Sequence, residues 1–129
     1  MTSANEEKYL EEIYYSVCKN GYARVSHLAK SLNVSASSVS KMLGKLTQEE
    51  FVDYQPYGII TLTEKGLTSG MKLAKNHQIL VNLFRYIGME EEEIDQEVRN
   101  IEYYISIKAI ECIKAFLAER DFTVRQQLK

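Results

Sequence analysis

The sequence predicts a mainly α-helical protein that is interrupted by one short β-ribbon. Apolar residues recur at helical spacing over most of the 129 residues, and short aromatic and β-branched runs replace that pattern only after Glu50. A composition of 45% hydrophobic and 26% charged residues is typical of a folded globular chain. No apolar run approaches the roughly 18 residues of a membrane span, and the polar start lacks a signal-peptide core, so we expect a cytoplasmic protein.

Three amphipathic helices are predicted before the β-ribbon. The first covers residues 6–19 and ends before Asn20 and Gly21. The second and third carry the apolar stripes Val25, Leu28, Ala29 and Leu32, and Val39, Met42, Leu43 and Leu46. Ser35 is placed to cap the third helix. Two short helices joined by a tight turn indicate a helix-turn-helix.

The β-ribbon follows directly on this pair of helices. The runs FVDY and GIITLT are separated by QPYG, whose proline and glycine are typical of a hairpin tip. A helix-turn-helix of three helices followed by a two-stranded wing is a winged helix-turn-helix, and we predict such a DNA-binding domain over residues 1–66.

The remaining residues, 67–129, are predicted to form a linker helix and a helical dimerisation domain. Thr63 caps a long helix that stops at Gly88, the acidic run at 90–93 opens another, and Ser106 caps the last. The fifth helix carries the stripe Ile94, Val98, Ile101 and Ile105. The last helix has a wider apolar band, Ala109, Ile110, Cys112, Ile113, Phe116 and Leu117, which suggests burial against a second subunit.

Charge differs between the two halves. Residues 23–66 carry five lysines and arginines against four acidic residues, whereas residues 67–119 carry six against nine. The mildly basic front favours a nucleic-acid module joined to a part with another role, although the net charge of the whole chain is −2.

The face of the third helix opposite its apolar stripe is suited to DNA. Small hydroxyls allow close approach to bases and phosphates, and lysines neutralise phosphate charge. The candidate DNA-binding residues are Arg24, Ser26, Ser35, Ser37, Ser38, Ser40, Lys41, Lys45 and Tyr57. The wing tip around Tyr57 has no Arg or Lys, so its contribution should be modest. A dimer would place two recognition helices about 34 Å apart on a palindromic operator.

Other classes of function find little support. Cys18 and Cys112 are isolated within helical patterns, which predicts small buried side chains rather than a disulfide or a zinc site. There is no phosphate loop and no plausible nucleophile and base, so an enzyme is not expected. Of the two histidines, His27 lies in the helix-turn-helix, where a solvated or phosphate-contacting role is expected.

Several segments together carry a resemblance to a known family. These are GYARVSHLAKSLNVSASSVSKMLGKL, LTEKG, NHQIL, FRYIGMEEEEI and IEYYIS, which agree in order and spacing from about Tyr9 to Leu117. They resemble the diphtheria toxin repressor family, specifically its short manganese transport regulator branch. The resemblance implies a homodimeric, metal-gated repressor of transcription, with a winged helix and a helical dimerisation domain.

The resemblance also implies a binuclear metal site, which this sequence changes. Three of the family's ligands match Glu11, His77 and Glu102. The other three positions, which hold an aspartate, a glutamate and a histidine in the family, hold Lys8, Arg99 and Tyr103 here. Two anionic ligands have therefore become cations, which oppose a bound metal ion.

These changes suggest a replacement for the metal. Lys8 with Glu11 and Arg99 with Glu102 are each three residues apart on a predicted helix, and together they would form an ionic clamp. We therefore expect no cofactor and DNA binding that is independent of Mn(II) or Fe(II). Two alternatives stay open, a Mn- or Fe-responsive repressor using the reduced site Glu11, His77 and Glu102, and a winged-helix protein interaction module.

Overall fold

A computed structural model describes residues 2–127, and its side chains are described for residues 2–55 and 57–120. Contacts within the chain divide it into two units, the first extending to Ala74 and the second beginning at Lys75. Each unit has its own apolar core.

The first unit begins with three helices, α1 (Ala4–Asn20), α2 (Val25–Leu32) and α3 (Ala36–Gln48). α1 begins two residues before the predicted start, because Ser3 and Glu6 form a reciprocal capping box. α1 ends at Gly21, whose φ of 87° lies in the left-handed region. Ser35 caps α3 by accepting a hydrogen bond from the backbone N–H of Ser38, as predicted.

The wing belongs to a three-stranded antiparallel sheet, β1 (Ala23–Arg24), β2 (Val52–Tyr54) and β3 (Ile59–Leu62), in the order β1-β3-β2. Asp53 faces Thr61 across the wing, and Ala23 faces Ile60 on the other side of β3. A 3₁₀ turn, Pro56–Gly58, forms the tip. The predicted winged helix is confirmed. β1 was missed because two residues are too few to show an alternating pattern.

The apolar stripes of the three helices meet the sheet in one core. Its members are Tyr9, Leu10, Ile13, Ala23, Leu28, Val39, Leu43, Leu46, Phe51, Val52 and Ile60. The predicted stripe positions Leu28, Val39, Leu43 and Leu46 are completely buried. Burial of the stripe turns the opposite face of α3 toward solvent.

A long helix, α4 (Glu64–Tyr86), follows the wing. Thr63 caps it as predicted, because its Oγ1 accepts a hydrogen bond from the N–H of Gly66 at 3.0 Å. The division between the two units falls within α4, after Ala74, whereas the sequence predicts a boundary after residue 66.

The second unit contains the end of α4, then α5 (Glu91–Ile101) and α6 (Ile107–Gln127), with a 3₁₀ turn (Glu102–Tyr104) between them. Its core is formed by Leu80, Ile94, Val98 and Ile110. Ser106 caps α6 by accepting from the N–H of Ala109. The predicted stripe from Ile94 to Ile105 does not lie on one helix, because α5 ends at Ile101 and Glu102 lies in the turn.

One expectation about burial is wrong. Cys18 and Cys112 are both exposed and carry free thiols, so neither is a small core side chain. Each lies on the solvent side of an amphipathic helix, where a helical pattern alone does not bury a residue. Among the described residues, no helix has the length and apolar character needed to span a bilayer.

Candidate functional site

The recognition face of α3 is open to solvent. All nine predicted DNA-binding side chains are exposed, as Val39, Leu43 and Leu46 occupy the buried side of α3. Ser40 and Lys41 lie on this face. Because most of the side chains at its start are serines, the face suits close approach to a major groove.

The serines at the start of α3 form a local network. Ser35 Oγ lies 3.0 Å from Ser37 Oγ and donates to Ser38 Oγ at 2.9 Å. The same oxygen accepts from the Ser38 N–H at 3.1 Å. The network fixes the first turn of α3, whose positive dipole end favours a phosphate.

The two lysines of α3 differ in their surroundings. Lys41 is exposed, and Lys45 is exposed as well but its Nζ lies 2.9 Å from Oε1 of Glu6. Glu6 is buried at the start of α1. Sequence reasoning did not find this partner, because 39 positions separate the two residues.

The wing presents two further predicted residues. Tyr57 at the tip is 95% exposed, with a φ of 75° that places it in the left-handed region. Arg24 lies in β1, and its guanidinium sits 5.2 Å from the centroid of the Tyr22 ring. Both side chains are available to a ligand on the solvent side of the first unit.

A histidine and a buried carboxylate meet within the second unit. His77 on α4 places its Nδ1 2.6 Å from Oε2 of Glu102, in the turn after α5. The Glu102 side chain is 3% exposed and that of His77 is 13% exposed. An imidazole beside a dehydrated carboxylate is a donor pair that suits a first-row divalent cation.

Acidic and basic neighbours surround this pair. Asp95 Oδ1 lies 3.2 Å from His77 Nε2, so both ring nitrogens face carboxylates. Arg99 donates from Nε to Oδ2 of Asp95 at 2.9 Å. Burial opposes ionisation of Asp95, but the hydrogen bond and charge of Arg99 outweigh it and lower the pKa of the Asp95 carboxyl. Asp95 is therefore an anion that can orient the imidazole.

The remaining positions of the predicted site are placed as follows. Glu11 on α1 is buried, and Tyr15 donates from Oη to its Oε2 at 2.7 Å. Lys8 is exposed on the same helix, and Tyr103 is half-buried in the turn after α5. The ionic clamp of Lys8, Glu11, Arg99 and Glu102 draws on both units, and it stays a prediction.

Two family models match nearly the whole chain. Residues 1–60 match "Iron dependent repressor, N-terminal DNA binding domain", and residues 63–126 match "Iron dependent repressor, metal binding and dimerisation domain". The chain belongs to the iron-dependent repressor family. Its winged helix coincides with the DNA-binding model, and the His77–Glu102 pair lies in the metal-binding model.

Curated relatives in this family are similar over most of their length. The HTH-type transcriptional regulator MntR of Bacillus velezensis is 38% identical, with all of this chain and 92% of the relative aligned. The regulator of the same name from Bacillus subtilis is 41% identical over 88% of this chain and 80% of the relative.

Two solved structures share the fold of this chain. The IdeR of T. acidophilum matches 92% of this chain with a TM-score of 0.78 and 27% identity. The manganese regulator SloR matches 92% with a TM-score of 0.75 and 29% identity. This chain spans 56% and 55% of those two chains, about half of each.

Membership of the iron-dependent repressor family confirms several predictions and overturns one. A DNA-binding transcriptional regulator that dimerises, and not an enzyme, is confirmed by the matched domains and the relatives. The expectation of no cofactor is wrong, because residues 63–126 match a metal-binding domain and hold the His77–Glu102 donor pair. The error arose because the loss of three ligands was taken as the loss of the whole site. The sequence did not show that His77 and Glu102 remain in contact.

Sequence reasoning missed two residues that support these donors. Tyr15 follows Glu11 by four residues on one helix, and that spacing could have predicted the hydrogen bond. Asp95 is 18 residues from His77, and the contact depends on the packing of α4 and α5 within the second unit. No sequence periodicity reports such a contact.

Proposed function

We propose that this chain is a homodimeric transcription regulator whose binding to a palindromic operator depends on Mn(II) or Fe(II). His77 and Glu102 of the second unit would hold the cation, and Glu11 is the third donor that the family resemblance implies. The observation that carries the proposal is the 2.6 Å pair of His77 Nδ1 and Glu102 Oε2 in the matched metal-binding domain. When bound, the cation supplies positive charge to the buried carboxylate of Glu102.

The donor residues fit such an ion. Glu102 is nearly inaccessible to water, and a buried carboxylate needs a cationic or hydrogen-bonding partner. His77 supplies a nitrogen donor beside it, and Asp95 on the other ring nitrogen is placed to orient the ring. One imidazole with carboxylate oxygens is a set that Mn(II) and Fe(II) accept.

The donor set is reduced, and this should weaken the affinity for the cation. The manganese transport regulator branch that the sequence resembles has three more ligands, at positions that hold Lys8, Arg99 and Tyr103 here. One imidazole and two carboxylates are at the low end of a usable site. A unit positive charge close to the cation costs roughly 2–4 kcal/mol at an effective dielectric near 20. We therefore propose a metal-responsive regulator whose threshold concentration of metal is raised.

The DNA contacts in this proposal come from the first unit. The exposed face of α3, with Ser37, Ser40 and Lys41, would enter the major groove, and Tyr57 on the wing would reach the neighbouring backbone. Arg24 and Ser26 would contact phosphates next to the recognition helix. Two copies of this unit, joined as a dimer, would read a palindrome.

The first test compares operator binding with and without Mn(II) at fixed salt. An inverted-repeat duplex is selected by the protein from random-sequence DNA in the presence of Mn(II), and its retardation is then measured in Mn(II) and in chelator. We expect affinity to fall at least tenfold in chelator. Equal affinities would contradict the proposal and favour the ionic clamp. Failure to retard any duplex would favour a protein interaction module.

Calorimetry tests the ligands directly. Mn(II) should bind the wild type, and His77→Ala should weaken that binding at least tenfold. His27→Ala is the matched control, because it removes the other histidine from an exposed position on α2 and should leave Mn(II) affinity unchanged. Equal Mn(II) affinities for wild type and His77→Ala would remove His77 from the site.

A further inference from the structure

A buried carboxylate in the first unit holds one of the two lysines on the recognition helix. Glu6, in the first turn of α1, is 2% exposed, and its Oε1 lies 2.9 Å from the Nζ of Lys45. Glu6 is fixed in place by the capping box, in which the N–H of Glu6 donates to Ser3 Oγ at 3.1 Å and the N–H of Ser3 donates to Glu6 Oε1 at 3.4 Å. The ion pair therefore joins the start of α1 to the last turn of α3.

Both partners of this pair stay charged. Burial alone would raise the pKa of Glu6, but other interactions, first among them the hydrogen bond from Lys45, outweigh it and lower that pKa to about 2. The same pair raises the pKa of the Lys45 ammonium. At neutral pH the buried Glu6 carboxylate therefore faces the Lys45 ammonium. If Lys45 moved away, the negative charge of Glu6 would be left buried without a partner, which is strongly unfavourable.

Glu49 adds a second carboxylate next to Glu6 and Lys45. Its interaction with Glu6 raises the pKa of the Glu49 carboxyl, as expected for two neighbouring carboxylates. The Oε2 of Glu6 accepts no hydrogen bond from the described residues. Among the described residues, Lys45 is the cation whose ammonium lies against Glu6, and Lys65 instead donates to the backbone oxygen of Glu49 at 2.8 Å.

We propose that Glu6 is a positioning residue that withholds Lys45 from the DNA backbone and anchors the last turn of α3. Phosphate neutralisation on this helix then belongs to Lys41, which is exposed and lies one turn before Lys45. Glu6 limits the electrostatic, sequence-independent part of DNA affinity by holding a cation that would otherwise release a counterion from DNA. This role rests on the DNA-binding part of the proposed function and is independent of metal.

The salt dependence of DNA binding tests this role. Affinity of the full-length protein for a mixed-sequence duplex is measured over a range of KCl concentrations, and the slope of log K against log salt reports how many phosphates the protein neutralises. Lys41→Met should reduce the slope by about 0.9 for each phosphate that the lysine neutralises in the wild type. Lys45→Met should leave the slope unchanged, because its charge is neutralised within the protein.

Release of Lys45 should have the opposite effect. Glu6→Gln removes the buried anion, so the freed ammonium should increase the slope by about 0.9 per subunit and raise affinity at low salt. The double variant Glu6→Gln/Lys45→Met should return to the wild-type slope. It carries no unpaired buried charge, so it keeps the test valid if Lys45→Met alone fails to fold.

A reduced slope in Lys45→Met, or in the double variant, would overturn the proposal by showing that Lys45 contacts phosphate in the wild type. An unchanged slope in Glu6→Gln would also overturn it. The salt dependence of all variants is compared at the same Mn(II) concentration. If the operator experiment shows no dependence on metal, the result for Glu6 and Lys45 is therefore unaffected. A wild type that retards no duplex would remove the DNA-binding premise itself.

Discussion

Arg99 is linked to the His77–Glu102 donor pair through the neighbouring carboxylate of Asp95. Its Nε bonds Asp95 at 2.9 Å, and Asp95 in turn lies 3.2 Å from His77 Nε2. The chain Arg99–Asp95–His77–Glu102 places a guanidinium two side chains away from the buried carboxylate. The positive charge of Arg99 would repel a cation bound by His77 and Glu102. Arg99 also compensates part of the negative charge of Asp95, which would otherwise attract that cation.

Replacement of Arg99 should therefore strengthen metal binding. Arg99→Glu removes a positive charge and adds a carboxylate at a position where the resembling family has a glutamate ligand. A change of this kind is worth roughly 2 kcal/mol or more at an effective dielectric near 20, so we expect Mn(II) affinity to rise at least tenfold by calorimetry.

The control for this variant is Lys19→Glu, which makes the same change of charge at an exposed position in the last turn of α1. It should leave Mn(II) affinity within twofold of the wild type. An equal gain in both variants would attribute the effect to net charge, and no gain in Arg99→Glu would show that this position has no part in the site.

The helices of the first unit depend on close backbone approach as well as on apolar stripes. At Gly66, in the first turn of α4, an added Cβ would overlap the carbonyl oxygen of Phe51 and would lie 3.0 Å from Leu62 Cδ2. At Gly70, a Cβ would lie 2.6 Å from the Cβ of Tyr14 on α1. Both glycines are required by the packing of α4 in this unit, not by their φ angles.

Gly66→Ala should consequently destabilise the first unit. Since the obstacle is a backbone oxygen that cannot rotate away, we expect a loss of about 2–3 kcal/mol in the free energy of unfolding. The measurement is urea-induced unfolding followed by circular dichroism.

Gly44→Ala provides the matched control on α3, where an added Cβ meets nothing within 4 Å. It should stabilise by up to about 1 kcal/mol, because alanine has the higher helix propensity. If Gly66→Ala matched the stability of Gly44→Ala, the close approach of α4 to Phe51 would be refuted.

Helix ends were the most predictable elements. Ser35, Thr63 and Ser106 were predicted as caps, and each accepts the expected backbone hydrogen bond. Capping depends on residues three positions apart, so the sequence contains the whole interaction. β1 and the 3₁₀ turn at Glu102 were not predicted, because both are short and depend on contacts with distant segments.

We predict that an exposed set of apolar side chains on the second unit forms the dimer interface, since residues 63–126 match a dimerisation domain. These residues are Tyr86, Ile87, Tyr104, Ile107 and Phe116, with exposed fractions between 37% and 77%. The wide apolar band predicted on α6 is partly realised, since Ile110 is buried and Phe116 stays exposed.

A charged double substitution, Ile107→Glu/Phe116→Glu, should therefore weaken the dimer. A carboxylate buried at an interface without a partner costs more than about 1.4 kcal/mol, so the dimer dissociation constant should rise at least tenfold in sedimentation equilibrium. Operator affinity should fall with it, because one subunit contacts only half of a palindrome.

Tyr57→Glu is the control, since Tyr57 is 95% exposed on the wing and belongs to the first unit. Its dissociation constant should equal that of the wild type. A double variant that remains fully dimeric would place the dimer interface on another surface.

The sequence was sufficient for the winged helix, the helical second half, the caps and the exposed recognition face, because each depends on local periodicity or spacing. It also identified His77 and Glu102 as candidate donors through a family resemblance. Only the tertiary structure decided which groups these side chains contact. His77 contacts Glu102 and Asp95, and Lys45 contacts Glu6. Charged side chains take their partners from packing between distant helices, and that packing determines whether a lysine is free for DNA and whether a carboxylate and an imidazole can share a cation.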